Sequence, residues 1–204
     1  WMNHAAVSPM SSRVNNAVVQ YLHLCAVEEV DTYLSTLPII VALKGNLGKM
    51  INAPSDRIAF AGNTSDGLNV LATGLEWHSG DRVLLNDSEF PSNVVPFINL
   101  KRLGVEVDII TTHHGEITAN QIESLITPRT RLVSISFVQF LSGFRADLES
   151  IGDVCRRHNA LFCVDAIQGL GAFPLDVRAM NIDFLSCGAQ KWLMGMHGLA
   201  FIYV

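Results

Sequence analysis

The sequence predicts an α/β fold: a three-layer α/β/α arrangement with a mostly parallel central sheet, preceded by N-terminal helices. Two patterns lead there. From residue 57 onward, short apolar runs alternate with stretches of helical period. That order places helices on both faces of a parallel sheet. Runs such as Leu161-Phe162-Cys163-Val164 are apolar throughout, whereas a strand with one wet face would alternate.

Each element has its own signal. Ser11 and Ser12 offer N-caps, and Val14, Val18, Tyr21, Leu22, Cys25 and Val30 recur near helical spacing. A second helix is expected over 36–51, with Gly45 and Gly48 weakening its middle. Strands are expected over 57–61, 82–86, 105–111, 131–137, 160–164, 182–187 and 199–204. Between them, helices are expected over 65–76, 92–103, 120–125, 147–158 and 176–180. Residues 1–52 then form an N-terminal arm with helices, and 53–204 the main domain.

Composition narrows the function. The 204 residues are 49% apolar and 16% charged, which excludes disorder because such a chain buries enough surface to offset ordering entropy. Lys and Arg number 14 against 19 Asp and Glu, a net charge of -5, so no global positive field invites nucleic acid. No apolar run approaches the roughly 18–20 residues of a membrane span. Cys25, Cys155, Cys163 and Cys187 form no C-x-x-C pair and no zinc spacing, which fits reduced, buried thiols and a cytoplasmic location. His113-His114 sit in a polar turn and read as solvated, so no metal is expected. The chain opens at Trp1 and stops at Val204 inside an expected strand. It therefore reads as a fragment of a longer protein, with no secretory signal in view.

In open α/β sheets ligands sit beyond the carboxyl ends of the strands. After the first strand comes Gly62-Asn63-Thr64-Ser65-Asp66-Gly67-Leu68-Asn69. This helix start suits a phosphate, or simply an N-cap at Thr64 or Ser65 with Asp66 favouring the dipole. It matches neither G-x-G-x-x-G nor G-x-x-x-x-G-K-[ST]. After the fifth strand comes Asp165, in Val164-Asp165-Ala166-Ile167-Gln168. It caps a turn, or it meets a cation or a protonated heterocycle. After the sixth comes Gly188-Ala189-Gln190-Lys191-Trp192. Lys191 there is a snorkelling surface lysine, or a desolvated, nucleophilic amine. Together the three groups are what pyridoxal 5′-phosphate needs: a phosphate seat, a carboxylate for the ring nitrogen and an amine for the aldehyde.

Several motifs match one family in order and spacing. Val164-Asp165-Ala166-Ile167-Gln168, Pro174-Leu175-Asp176-Val177, Ile182-Asp183-Phe184 and Lys191-Trp192-Leu193-Met194-Gly195 resemble the class V aminotransferases. That family of fold-type I pyridoxal phosphate enzymes includes cysteine desulfurases, kynureninases and isopenicillin N epimerase-like proteins. The resemblance runs from Asn3-His4-Ala5-Ala6 to the strand at Phe201. It implies that the chain holds most of the large domain, without the C-terminal small domain. It implies Lys191 as the Schiff-base lysine and Asp165 as the pyridinium partner. Gln168 would bond the phenolic oxygen, and Phe90 would stack on the ring. Ser65 and Asp66 would form the phosphate cup through backbone N–H groups. Gln190 would take the place of a phosphate-binding His, and His197 would reach the phosphate of a neighbouring subunit. An amino-acid substrate and a homodimer with its active site at the interface follow from the same resemblance.

The departures are specific. Phe90 stands where desulfurases usually carry His, as in kynureninase-like and epimerase-like members. Gln190 stands where they carry His, and Gln139 or Phe140 where they carry Asn. None of the four cysteines matches the desulfurase nucleophile. These departures count against desulfurase chemistry and leave transamination, epimerisation and cleavage as the alternatives. Two competing readings are a non-catalytic remnant kept for assembly or regulation, and a generic nucleotide-binding domain. The missing phosphate-loop motifs speak against the second.

Overall fold

The computed structural model describes residues 2–27 and 32–204. Trp1 and Val30, both used in the sequence reading, lie outside them. Two helices come first, α1 (Ser12–Val27) and α2 (Tyr33–Ile51). Then β1 (Ile58–Ala61), α3 (Thr64–Gly74), β2 (Arg82–Asn86), the four-residue α4 (Val95–Ile98) and β3 (Glu106–Ile110) follow. The chain continues through α5 (Ala119–Leu125), β4 (Thr130–Ser136), α6 (Leu148–Arg157), β5 (Leu161–Asp165), β6 (Phe184–Gly188) and β7 (Ala200–Tyr203).

The seven strands form one sheet in the order β1-β7-β6-β5-β4-β2-β3. Strands β2 to β6 run parallel. β7 is antiparallel to both of its neighbours, β1 and β6. Val83, Leu85, Leu132, Cys163 and Phe184 pack on one face with Leu68, Leu71 and Phe97 from α3 and α4. Leu84, Val133, Phe162, Val164 and Leu185 pack on the other with Ile122, Ile151 and Val154 from α5 and α6. Burial on both faces is why these strands read as unbroken apolar runs.

Three local expectations are corrected. The helix expected over 92–103 is broken into a single turn at Pro91–Asn93, α4 and a second turn at Asn99–Leu103. Pro91 and Pro96 lack the N–H that a continuous helix needs. The helix expected over 176–180 is a turn, because the Asp176 carboxylate takes the amides of Arg178 and Ala179 at 2.9 and 3.0 Å. Such side-chain bonds compete with the helical ladder. The cap of α3 is Asn63, not Thr64 or Ser65; its Oδ1 accepts the Asp66 amide at 2.9 Å.

α3 lies directly against the sheet because Gly67 has no side chain. A Cβ there would fall 2.3 Å from Ser186 Oγ and 2.6 Å from Ile202 Cγ2. Gly67→Ala is expected to cost roughly 1–3 kcal/mol in urea unfolding through overpacking. That loss outweighs the helix propensity alanine would add, about 1 kcal/mol. An unchanged midpoint would mean that α3 does not hold this close approach in solution.

Candidate active site at the carboxyl edge of the sheet

The topology gathers the candidate residues before any side chain is considered. β1 to β6 all point the same way, so Ala61, Asn86, Ser136, Asp165 and Gly188 end at one edge. β3 and β4 flank β2 on opposite sides, which makes the gap between β2 and β4 the point where the strand order reverses. Ligand crevices form there.

Asp165 is the last residue of β5 and is 2% exposed. Its Oδ1 accepts the Ile167 amide at 3.1 Å. Burial pushes its pKa up to about 7; the Ile167 bond and the Lys191 charge oppose the shift, and Glu89 adds to it. Lys191 follows β6 by three residues and is half-buried. Burial lowers its pKa below the ordinary lysine value, against the pull of Asp165. Its Nζ lies 6.0 Å from the centroid of the Phe90 ring.

The first turn of α3 is tied to the same edge. Thr64 Oγ1 accepts the Gly188 amide at 3.0 Å, and Thr64 O accepts the Ser186 hydroxyl at 3.0 Å. The Ser65 hydroxyl lies 2.7 Å from that of Ser92, on the loop that carries Phe90. The Asp66 amide is occupied by the Asn63 cap, and the Asp66 carboxylate accepts from Asn63 Nδ2 at 2.8 Å. The structure thus brings together Ser65, Phe90, Asp165, Gln168 and Lys191. His197 is exposed on the turn before β7. Gln190 meets the N-terminal segment through its carbonyl, which accepts the Ser8 amide at 2.9 Å.

That segment went unnoticed in the sequence as part of the site. Ser8 Oγ donates to the Lys191 carbonyl at 2.6 Å, and His4 Nδ1 lies 2.5 Å from the same hydroxyl. The His4 ring stacks on Trp192 with centroids 5.3 Å apart. Gln168 Nε2 donates to the Ala5 carbonyl at 3.0 Å. Residues 4–8 therefore strap the loop that carries Lys191. Glu89 was also missed as a functional candidate, although it stands beside Phe90. It is 7% exposed at the end of β2 and binds across to β4.

Three cysteines are buried against the sheet, Cys155 and Cys187 in the core on one face and Cys163 in the core on the other. Burial pushes the Cys155 thiol up to about 12 and raises Cys163 and Cys187 as well. Thiolates are the reactive form, so iodoacetamide should label half-buried Cys25 well before the other three in the native protein. Peptide mapping reads the order; fast labelling of Cys187 would show that the edge near Lys191 opens.

A mostly parallel sheet with a buried carboxylate, a half-buried amine and a helix start at one edge marks an α/β protein with a candidate ligand site there. The family Aminotransferase class-V matches residues 1–204. The chain belongs to that family. A probable cysteine desulfurase of Methanothermobacter thermautotrophicus is 35% identical over 154 residues, covering 75% of this chain and 38% of the relative. A cysteine desulfurase of Buchnera aphidicola is 26% identical over 214 residues, covering 100% of this chain and 53% of the relative. The chain thus spans about half the length, or less, of these curated relatives. Among solved structures, the cystine C-S lyase C-DES superposes with a TM-score of 0.91 at 24% identity, over 100% of this chain and 56% of that one. An apo cysteine desulfurase from Thermococcus onnurineus superposes with a TM-score of 0.89 at 24% identity, over 99% of this chain and 52% of that one. No helix among the described residues is long and apolar enough to cross a membrane.

Proposed function

We propose that the full-length protein is a pyridoxal 5′-phosphate enzyme acting at the α-carbon of an amino acid, with Lys191 as its anchoring amine and proton carrier. One observation carries the reading. A buried carboxylate and a half-buried amine stand at adjacent strand ends, close enough for each to shift the other's proton affinity.

The residues fit the cofactor group by group. When bound, pyridoxal phosphate supplies an aldehyde for an amine and a protonated ring that withdraws electrons from the neighbouring carbon. Asp165 offers a carboxylate to the ring nitrogen. Its high proton affinity reflects burial, and a cationic partner would offset that cost. Ser65 and the first turn of α3 offer a hydroxyl and N–H groups to the phosphate. Phe90 offers an aromatic face beside Lys191. Gln168 offers an amide that now bonds Ala5 and would exchange that partner for the cofactor's phenolic oxygen. Lys191, with its lowered pKa, is neutral in a larger fraction than a solvated lysine. It is therefore suited to take and return a proton at the substrate α-carbon. Proton transfer at that carbon is common to transamination, epimerisation and Cβ–S cleavage.

The reading extends to a homodimer. Leu34, Ile39 and Val41 of α2 are 75%, 65% and 68% exposed, apolar surface that a second subunit would cover. Sedimentation of the full-length protein tests this, and a monomer at working concentration would count against it.

The central test mixes the full-length protein with pyridoxal phosphate, records the visible spectrum, reduces with borohydride and maps the labelled peptide. A yellow protein labelled at Lys191 supports the proposal. A colourless protein, or a label only on Lys44 or Lys49, overturns it.

A further inference from the structure

Glu89 is a buried carboxylate with far more hydrogen bonds than a turn requires. Its Oε1 accepts from Asn86 Nδ2 at 2.5 Å, the Ser136 amide at 2.9 Å and Gln139 Nε2 at 2.9 Å. Its Oε2 accepts from Asn93 Nδ2 at 2.9 Å and from the Ser136 hydroxyl. Asn93 is itself held, its Oδ1 accepting the Ser134 hydroxyl at 2.6 Å. The carboxylate thus joins the end of β2 to the end of β4, across the point where the strand order reverses.

The residues beside this hub in sequence are the aromatic ones at the site. Phe90 follows Glu89 and Phe140 follows Gln139. Their rings meet edge to face, with centroids 5.0 Å apart and planes at 85°. Phe90 is 43% exposed and Phe140 37% exposed, so core packing alone does not fix either ring. We propose that Glu89 is a positioning residue: through its own backbone and through Gln139 it holds Phe90 and Phe140 as one aromatic wall beside Lys191.

The state of Gln139 supports this. The residue is 1% exposed, and its Oε1 has no hydrogen-bond partner among the described residues. Leaving a buried acceptor unpaired costs free energy. An apolar side chain would avoid that cost, and the side-chain bond Gln139 makes among the described residues is the tether to Glu89. The tether has a geometric use, because it orients the residue that precedes Phe140. That the wall faces a cofactor rests on the function proposed above; that Glu89 holds the wall does not.

The test places 4-fluorophenylalanine at position 140 of the full-length protein and records fluorine NMR without cofactor. Gln139→Met removes the tether at nearly constant volume and touches neither ring. The expected result is a shifted and broadened resonance with an unchanged melting temperature. Glu89→Gln, where it folds, should move the same signal. Arg157→Ala, which breaks only a surface ion pair with Glu123, should leave it in place. An unmoved resonance in folded Gln139→Met overturns the proposal. Pyridoxal phosphate is then added to each protein. A loosened wall should raise the dissociation constant about three- to tenfold, the worth of an aromatic contact. If pyridoxal phosphate binds none of the proteins, the functional reading fails, while the fluorine signal still decides the role of Glu89.

Discussion

Lys191→Ala is expected to lower turnover of the full-length protein by at least about 10²–10⁴, the usual worth of a positioned proton carrier. It should also abolish the borohydride-fixed label. Both losses follow from the placement of the amine. Lys191 stands three residues beyond β6, with Asp165 ending the neighbouring strand and Phe90 to one side. Burial lowers its pKa below the ordinary lysine value, so a larger fraction is neutral at any given pH than for a solvated lysine. The other lysines are carried by other elements: Lys44 and Lys49 lie on α2, and Lys101 in the turn after α4. Stability should change little, because the amine makes no hydrogen bond or ion pair among the described residues. Single-turnover kinetics with peptide mapping reads the loss, and calorimetry checks the fold. Substantial turnover in Lys191→Ala would remove the lysine from the mechanism.

Asp165→Asn is expected to separate activity from stability. Without cofactor the Asp165 pKa is raised from 3.8 to about 7, chiefly by burial. An acid whose folded pKa is raised supports the fold fully below its unfolded pKa, and that support is lost as the pH climbs through the folded value. The cofactor-free wild type should therefore lose stability between about pH 4 and pH 7 by up to about 4 kcal/mol, three pKa units at 1.36 kcal/mol each. Asparagine carries no charge, so the variant should escape this loss and outlast the wild type above pH 7. Its turnover should nevertheless fall sharply, because a neutral amide does not hold a proton on a ring nitrogen. Urea unfolding at pH 4, 6 and 8, with and without pyridoxal phosphate, reads the effect. A cofactor-free wild type whose stability stays flat from pH 5 to 8 would contradict the burial argument.

The accuracy of the sequence reading followed the physics of each element. β2 was legible residue for residue, because a strand buried on both faces leaves an unbroken apolar run between turn signals. α6, expected over 147–158, runs over Leu148–Arg157, and the Asp147 carboxylate caps it by accepting the Ser150 amide. The two failed helices were decided by competing local bonds and by proline rings, which a hydrophobic period does not register. The reversed β7 was not legible, since an apolar run carries no information about the direction of its neighbour.

The site divides in the same way. Asp165 and Lys191 stood out because a charged side chain next to a buried run costs free energy unless it finds a partner. Their types and spacing could be read along the chain. Glu89 could not, because its polar neighbours look like an ordinary loop, and its partners Ser136, at the end of β4, and Gln139, just beyond it, lie 47 and 50 residues away. Ser8 was hidden for the same reason, 183 residues from the carbonyl it binds. What the sequence alone determined was the α/β class and the family, with Asp165 and Lys191 as candidates, because patterning and side-chain type are properties of the chain itself. What only the tertiary structure decided was the reversed strand, the Glu89 hub and the strap over Lys191. Each is a hydrogen-bonded meeting of distant segments, and a hydrogen bond exists only once both partners have been brought within about 3 Å.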